Sequence, residues 1–437
     1  MGNTRKYTVK LLTKQESDSS FSNLLLDDAL ARSDFDSRDK KFVSALFYGV
    51  LERRYTLDLI ITELSKNPKN KLSAEVRNIL RTGLYQLLYM DSVPDNAAVD
   101  EAVKLAKKNR NPAVSGFVNG MLREFIRKGK KLPEGRIVTE RLSIDHSCPL
   151  WLVEKWYNEL GPDRCKAMLL YSIGQPPTTV RLNTLHHGEE EILDLMAGDG
   201  LTFERVSGLR NSFRICFSGA VENTESYKNG LFHVQDLSSQ LCCMAVGPKP
   251  GDTVLDLCSA PGGKAFTMAE MMEDRGRVMA FDLHPKRVGL IRNGARRLGL
   301  SCISAGTNNA KEFNTELPMA DKVLVDAPCS GLGVIRRKPE IKYKDPSELV
   351  RLPQVQYEIL SASAGYVKPG GTLVYSTCTV SKEENEQVAE RFLREHEGFS
   401  PGSLGDLPVD GEPSMLTVTP DMFGSDGFFI AKFVRRG

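Results

Sequence analysis

The feature that most restricts the fold of this chain is a strand, a glycine turn and a helix, in that order. The apolar run DTVLDL is followed by CSAPGGK (258–264) and by the helix-like FTMAEMM. In open α/β sheets, such a turn at the carboxyl end of the first strand is where ligands bind. Its spacing fits neither a phosphate loop, G-x-x-x-x-G-K-[ST], nor a dinucleotide fingerprint, G-x-G-x-x-G. ATP and NAD are therefore not the natural ligands of this turn.

From residue 250 onward, apolar runs alternate with helix-like segments. Helices are expected between the strands, for example at 285–299 and 349–367. This alternation predicts a doubly wound, parallel α/β sheet whose last strand is paired at one edge. The predicted strands cover residues 253–259, 277–283, 301–306, 322–328, 371–378 and 427–433.

The preceding part of the chain has two other patterns. From about residue 20 to 130, apolar residues recur at spacings of three and four, which predicts an all-α bundle of five or more helices. A linker-like KKLPEG follows, and another helix starts after Pro149. Short β-branched and aromatic runs between about 175 and 232 predict a small, antiparallel-rich α/β segment. We therefore predict three domains, at residues 1–135, 145–235 and 236–437.

Composition and charge narrow the class of protein. Lys and Arg number 58 against 56 Asp and Glu, so attraction to nucleic acid must come from local basic clusters. Nine cysteines without a C-x-x-C pair at zinc spacing indicate reduced thiols, and we expect no metal site. The first ten residues lack the apolar core of a signal peptide, and no run of eighteen apolar residues occurs. We expect a cytoplasmic protein with no membrane partner.

Aspartates near the ends of the first two predicted strands indicate a nucleoside site. An acidic residue in the position of Asp282 commonly accepts hydrogen bonds from ribose hydroxyls, although it could instead cap the helix that follows. A nucleoside site without a phosphate cradle fits S-adenosylmethionine. Lys264 could neutralise the carboxylate of this cofactor, neutralise Asp256, or only cap the turn.

Two cysteines follow neighbouring predicted strands, Cys329 in DAPCSG and Cys378 in STCT. Adjacent strands lie about 5 Å apart, so both thiols can face one crevice. A thiolate that adds to carbon 6 of a pyrimidine makes carbon 5 nucleophilic. Asp326 is placed to protonate or hydrogen-bond the ring nitrogen next to the attack site. Methylation of a nitrogen needs no thiol, so the pair favours carbon 5, and these arguments leave open which cysteine attacks.

Long motifs carry a resemblance to a known family: VQDLSSQL (234–241), LDLCSAPGGK (255–264), VLVDAPCSGLGVIRRKPEIK (323–342), GGTLVYSTCTVSKEENEQV (370–388) and DGFFIAKF (426–433). Together they resemble the Sun/RsmB family of ribosomal RNA cytosine-5 methyltransferases. RNILRTGLYQLLYM and FVNGMLREF resemble the NusB-like RNA-binding domain of that family. The resemblance implies a NusB-like bundle, a small α/β connecting subdomain and a Rossmann-like methyltransferase domain.

The resemblance also implies roles for individual residues. Cys378 would be the nucleophile, and Cys329 would assist breakdown of the covalent adduct. Asp326 would lie near both the methyl donor and the base, and Asp282 on the ribose. In the family an aspartate after the third strand lies by the adenine; GTNNAKEF has asparagines there, and Asn309 aligns best by its following Ala-Lys. The expected cofactor-binding residues are Cys258, Ser259, Ala260, Pro261, Gly262, Gly263, Lys264, Asp282, Arg287, Asn309 and Asp326.

The implied function is methylation of carbon 5 of a cytosine in small-subunit (16S) ribosomal RNA, unassembled or partly assembled, with no obligate protein partner. The basic run VIRRKPEIK is expected to contact RNA through Arg336, Arg337 and Lys338. RNA is recognised best where a base can be splayed out of a single-stranded loop or flipped. Alternatives are the same chemistry on transfer RNA, or a non-catalytic RNA-binding factor of the antitermination type with a decayed methyltransferase domain.

Overall fold

The chain divides into two compact units in the computed structural model, which describes residues 4–18, 22–65, 72–217, 219–405 and 407–437. The first unit comprises Met1–Gly174 together with Ile335–Lys344. The second comprises Gln175–Val334 and Asp345–Gly437. The three-domain division proposed from the sequence remains a prediction.

The first unit is helical, which confirms the predicted bundle. Capping is visible at two helix starts, where the side chains of Asp36 and Ser73 accept backbone N–H bonds from the first turn. The helix Thr4–Asp18 was not foreseen, because its sequence is mostly polar. The helices are α1 (Thr4–Asp18), α2 (Ser22–Ala31), α3 (Ser37–Leu64), α4 (Ala74–Tyr89), α5 (Asp95–Ala106), α6 (Ala113–Arg127), α7 (Val138–Asp145), α8 (Leu150–Leu160) and α9 (Pro162–Tyr171).

The segment Ile335–Lys344 packs into this helical unit although it lies far along the chain. Lys342 is fully buried, and its Nζ donates to the backbone oxygen of Glu52 at 2.6 Å. The hydroxyl of Tyr343 donates to the oxygen of Leu51 at 2.9 Å. Burial lowers the pKa of Lys342 to about 8. Lys342 is therefore a packed core residue of the helical unit, and it is not one of the three residues of the basic run that are expected to contact RNA.

The second unit begins with a small sheet whose four strands pair antiparallel in the order β2-β3-β1-β4. Apolar residues of its strands and of one helix form its core, among them Val180, Ile192 and Phe232. The antiparallel-rich segment predicted from the sequence is confirmed. Its elements are β1 (Thr178–Leu182), α10 (Glu189–Gly198), β2 (Thr202–Arg205), β3 (Ser212–Cys216), α11 (Glu225–Lys228) and β4 (Phe232–Val234).

The rest of the second unit contains the doubly wound sheet. The strands run in the order β10-β12-β9-β8-β5-β6-β7, and β11 also pairs with β12. Strands β5 to β9 pair in parallel with one another, whereas β12 lies antiparallel to β9. The strands are β5 (Thr253–Asp256), β6 (Arg277–Asp282), β7 (Ile303–Thr307), β8 (Ala320–Asp326), β9 (Val367–Thr377), β10 (Phe399–Pro401), β11 (Met415–Val418) and β12 (Phe428–Arg435).

One detail of the predicted sheet is wrong. The last strand is not at an edge, because two short strands that the sequence did not reveal, β10 and β11, pair with β12 beyond β9. This position explains why β12 is almost wholly apolar, with Phe428, Phe429, Ile430 and Phe433 all buried.

Helices cover both faces of this sheet. Val254 packs into the core on one face and Leu255 into the core on the other, as expected for a buried parallel strand. Within the described residues, no helix has the length and apolar character needed to cross a membrane. The helices are α12 (Leu237–Val246), α13 (Gly263–Met271), α14 (Pro285–Leu298), α15 (Pro346–Leu349), α16 (Leu352–Ala364), α17 (Glu386–Glu395) and α18 (Pro420–Phe423).

Candidate active site

The glycine turn joins β5 to α13 through a backbone conformation that favours glycine. Gly262 has φ of 114°, and a Cβ at this position would lie 2.4 Å from the ring of Phe266. The N–H of Ser259 donates to the oxygen of Phe281 on β6 at 2.7 Å, and that of Gly262 donates to the oxygen of Ser259. The turn is thus held against the ends of two neighbouring strands, at the edge where doubly wound sheets bind ligands.

Gln235 supports this turn from the small sheet and was not singled out from the sequence. Its Nε2 donates to the oxygen of Gly263 at 3.1 Å, and its Oε1 accepts from the hydroxyl of Thr267 at 2.7 Å. Both partners lie in the first turns of α13. The only available signal was the position of Gln235 within the VQDLSSQL motif.

Asp282 ends β6 with a buried carboxylate that is connected to the glycine turn. Its Oδ1 accepts from the N–H of His284, and its Oδ2 lies 3.0 Å from Nη1 of Arg287. Arg287 also donates through Nη2 to the oxygen of Ala260 at 2.8 Å. The N-cap residue of α14 is His284 and makes no side-chain cap bond. Asp282 therefore does not cap this helix, and it is brought together with Arg287 and the turn.

Asn308 and Asn309 differ in their surroundings after β7. The side chain of Asn309 folds onto the next turn, where its Nδ2 donates to Glu312 at 2.6 Å and its Oδ1 accepts from the N–H of Lys311. Asn308 is buried, its N–H donates to the oxygen of Asp282, and its Nδ2 has no hydrogen-bond partner among the described residues. The cofactor role expected for Asn309 remains a prediction. Of the two asparagines, it is Asn308 whose Nδ2 is left to donate a hydrogen bond to a ligand.

Asp256, at the end of β5, is fully buried. Neither of its carboxylate oxygens has a hydrogen-bond partner among the described residues. Burial raises the pKa of this carboxyl to about 7, and the nearby negative charge of Asp326 acts in the same direction. Near neutral pH this carboxyl group is therefore divided between its protonated and its ionised form.

Lys264 is paired with Asp326, a partner that none of the three sequence-based alternatives named. Its Nζ lies 2.7 Å from Oδ2 of Asp326 and 5.0 Å from the centre of the Phe428 ring. Burial alone would lower the pKa of Lys264, but the Asp326 carboxylate outweighs it, and the pKa is raised. The other oxygen of Asp326, Oδ1, accepts from the hydroxyl of Ser376 at 2.9 Å. Both oxygens of Asp326 are thus bonded to side chains of the site.

The two cysteines meet just beyond the ends of β8 and β9. These strands are parallel neighbours in which Asp326 is in register with Ser376. The sulfur atoms of Cys329 and Cys378 lie 3.1 Å apart. The hydrogen bond to Cys378, together with burial, raises the pKa of Cys329 well above its usual value. Cys329 is therefore held as a thiol, which can donate its proton toward the sulfur of Cys378.

The basic residues expected to contact RNA belong to the first unit. Arg336, Arg337 and Lys338 are half-buried within the segment Ile335–Lys344. The guanidinium of Arg336 lies 4.6 Å from the centre of the Tyr171 ring, and its Nε donates to the oxygen of Gly174 at 3.3 Å. Their contact with RNA remains a prediction.

Metal ligation finds no support in the part of the chain that the structure describes. No cluster of three or more His, Cys, Asp or Glu side chains occurs there that could hold a metal ion. None of the nine cysteines, all of which are described, forms a disulfide.

Comparison with known protein families finds three matches along the chain. The model for 16S rRNA methyltransferase RsmB/F matches residues 243–434. The NusB family matches residues 2–127, and the RsmF/B-like ferredoxin-like domain matches residues 148–222.

Individual proteins match most of the chain or all of it. A probable ribosomal RNA small subunit methyltransferase B of Bacillus subtilis is 37% identical over 445 residues, covering 99% of each chain. The crystal structure of PH0851 superimposes with a TM-score of 0.82 at 25% identity, covering 99% of each chain. A methyltransferase homolog protein from Pyrococcus horikoshii covers 68% of this chain and 98% of its own, with a TM-score of 0.59 at 26% identity. With the motifs in place and relatives that match from end to end, the chain belongs to the RsmB/F family of 16S rRNA methyltransferases.

Proposed function

We propose that this protein methylates carbon 5 of a cytosine in small-subunit ribosomal RNA, using S-adenosylmethionine and a covalent adduct on Cys378. The observation that carries the proposal is the 3.1 Å separation between the sulfurs of Cys329 and Cys378, next to Asp326. Methylation of a ring nitrogen or of the exocyclic amine needs no thiol. A pair of thiols at this edge of the sheet fits a reaction in which carbon 5 must first be activated.

The polar groups around the glycine turn fit S-adenosylmethionine. Asp282 offers a carboxylate for ribose hydroxyls, and Arg287 orients it. The buried Nδ2 of Asn308 lacks a partner among the described residues and could be satisfied by a polar ligand. When bound, this cofactor supplies an electrophilic methyl group to carbon 5. The turn residues Cys258 to Lys264 would hold it, as expected from the family.

Cys378 adds to carbon 6 of the cytosine as a thiolate, and Asp326 acts on N3, the ring nitrogen that is conjugated with carbon 5 through carbon 4. Addition increases the negative charge on this nitrogen, so a proton donated there lowers the barrier. The ammonium Nζ of Lys264 lies 2.7 Å from Oδ2 of Asp326. A proton for the ring therefore starts on Lys264 and passes through Asp326 to N3, which leaves Lys264 as a neutral amine.

Cys329 assists release of the product. Its raised pKa keeps its proton in place, and the S–H can hydrogen-bond the sulfur of Cys378 when that sulfur carries a negative charge. The adduct breaks down when a base takes the proton from carbon 5 and the Cys378 thiolate leaves, and the same hydrogen bond stabilises this leaving thiolate. Without Cys329, attack can still occur, but departure of the Cys378 thiolate becomes slower.

Ribosomal RNA is the proposed substrate because the relative from Bacillus subtilis is named a probable ribosomal RNA small subunit methyltransferase B. The target cytosine would be single-stranded or flipped out, since a paired base keeps carbon 6 inside the stack. Arg336, Arg337 and Lys338 would add phosphate contacts and make binding sensitive to salt. The cytoplasmic location and the lack of an obligate protein partner remain predictions from the sequence.

A denaturing gel tests this proposal with labelled, unmodified small-subunit ribosomal RNA and S-adenosylmethionine. We expect a slowly migrating protein–RNA band that accumulates with Cys329→Ala and is absent with Cys378→Ala. The matched control is Cys216→Ala, which replaces an exposed cysteine and should behave as the wild type.

Three other results would contradict parts of the proposal. A band with Cys378→Ala instead would exchange the roles of the two cysteines. A band only when transfer RNA replaces ribosomal RNA would change the substrate class. If no protein forms a band and no methyl group is transferred from S-adenosylmethionine to the RNA, only the non-catalytic RNA-binding function would remain.

A further inference from the structure

Two consecutive buried residues, Glu384 and Asn385, connect the loops that carry the two cysteines. They belong to the run SKEENEQ, directly before α17, where charged and polar residues normally face solvent. Glu384 is 3% exposed and Asn385 is fully buried. Burial of a carboxylate next to an amide is unfavourable unless both are well hydrogen-bonded.

Glu384 is bonded directly to one neighbour of Cys329 and, through Gln356, to the other. Its Oε2 accepts from the N–H of Ser330 at 2.8 Å and from Nε2 of Gln356 at 2.9 Å. The same Nε2 of Gln356 donates to the oxygen of Pro328 at 3.0 Å. Pro328 and Ser330 are the two neighbours of Cys329, so the Glu384 carboxylate fixes the backbone from which this thiol projects.

Asn385 is bonded in the same way to the loop of Cys378. Its Oδ1 accepts from the hydroxyl of Thr377 at 2.6 Å, and its Nδ2 donates to the oxygen of Thr379 at 3.0 Å. Thr377 and Thr379 are the two neighbours of Cys378. Each side-chain group of Asn385 therefore holds one flank of this cysteine.

The two loops are also joined directly. The hydroxyl of Ser330 donates to that of Thr379 at 2.9 Å, and the N–H of Gly333 donates to the oxygen of Cys378 at 3.0 Å. Because Glu384 and Asn385 are adjacent in the chain, a single peptide unit separates the group that holds one cysteine from the group that holds the other.

We propose that Glu384 and Asn385 are positioning residues that set the contact distance between the two thiols. The consequence for the reaction rests on the proposed function: Glu384 controls product release through Cys329, and Asn385 controls attack through Cys378. Glu384→Gln keeps the shape of the side chain and removes its charge, which weakens the bond to Ser330. Asn385→Asp keeps Oδ1 and replaces the donor that faces Thr379 with an acceptor.

The first experiment measures thiol spacing without RNA or cofactor. Phenylarsine oxide bonds two nearby thiols through its arsenic, and its oxygen leaves as water with the two thiol protons. The rate of this bridging is followed by intact-protein mass, with Cys329→Ala giving the background from other cysteines. We expect bridging to be about tenfold slower in Glu384→Gln and Asn385→Asp, because each loses roughly one strong hydrogen bond. The control Glu383→Gln makes the same change at the exposed neighbour and should match the wild type.

The second experiment applies the covalent-adduct gel to the same proteins. We expect Glu384→Gln to accumulate adduct as Cys329→Ala does, with kcat and KM for RNA both lowered about tenfold and kcat/KM unchanged, because adduct breakdown follows attack. Asn385→Asp should form little adduct. Gln356→Met removes the bonds to Pro328 and Glu384 without adding a charge, so it should reproduce Glu384→Gln even if that variant folds poorly. Urea midpoints establish that each variant is folded.

The outcomes separate this inference from the proposed function. Bridging at the wild-type rate in Glu384→Gln and in Gln356→Met would overturn the positioning role. If the bridging rates follow the expected pattern but no protein forms an RNA adduct, including Cys329→Ala, the covalent function fails and the positioning role stands.

Discussion

The buried carboxyl group of Asp256 should make the protein less stable as the pH rises, and Asp256→Asn should remove this effect. Burial raises the pKa of this group to about 7, and the groups that act on it include Asp326 and Lys264. A pKa that is raised in the folded state favours the protonated form. The corresponding stability is fully present below the pKa of the unfolded chain and is lost as the pH rises through about 7.

The magnitude follows from two pKa values, about 4 in the unfolded chain and about 7 in the fold. Compared with a side chain that cannot ionise, Asp256 lowers the free energy of unfolding by about 2 kcal/mol near pH ~5.5 and by about 4 kcal/mol near pH ~8.5. The advantage of Asp256→Asn over the wild type should therefore grow by about 2 kcal/mol between these conditions.

Urea unfolding of both proteins, followed by circular dichroism across this pH range, measures the difference. Other titrating groups cancel in the comparison. Asp421→Asn, at an exposed position in α18, is the matched control and should show no such trend. A difference between Asp256→Asn and the wild type that stays constant with pH, or falls as the pH rises, would refute the reasoning.

Two further predictions concern the glycine turn and the end of β7. Gly262→Ala should lower the free energy of unfolding by about 2 kcal/mol or more, because of its φ of 114° and the close ring of Phe266. Gly289→Ala, within α14 and with open space around its Cβ, should raise it by about 0.5–1 kcal/mol; thermal melts with equal shifts would contradict this contrast. Asn308→Ala should weaken binding of S-adenosylmethionine about tenfold in calorimetry, and Asn309→Ala less than about threefold, whereas the reverse order would support Asn309 as the adenine-side residue.

Much of the fold could be predicted because its elements are long and their patterns differ. The parallel strands are continuous apolar runs, and the bundle shows helical spacing, so neither needs long-range information. Strands β10 and β11 have only three and four residues and no distinctive pattern. They form strands because the free side of β12 offers backbone hydrogen-bonding groups. This tertiary pairing is also the reason why β12 is not the outermost strand of the sheet.

The site was predictable where a motif places a residue at a strand end. Cys329 and Cys378 follow neighbouring strands, and sheet geometry alone indicated that their thiols could meet. The partner of Lys264 was not predictable from the sequence. The carboxylates of the cofactor, Asp256 and Asp326 are all possible partners for its ammonium group, and only the distances in the fold distinguish them. Glu384 looks like its exposed neighbour Glu383 in the sequence, and no local signal distinguishes a buried carboxylate from a solvated one.

The grouping of Ile335–Lys344 with the helical unit has a consequence for the order of events during synthesis. Translation delivers the helices that the structure describes in that unit up to Gly174, α1 to α9, but the last segment of the unit emerges only after about 170 further residues. Until then, the surface of α3 against which Lys342 and Tyr343 pack remains uncovered. A nascent chain can therefore begin the helical unit early but cannot complete it before the strand that leads to Cys329 has been made. The amino-terminal unit of this protein is the first to start folding and cannot be the first to finish.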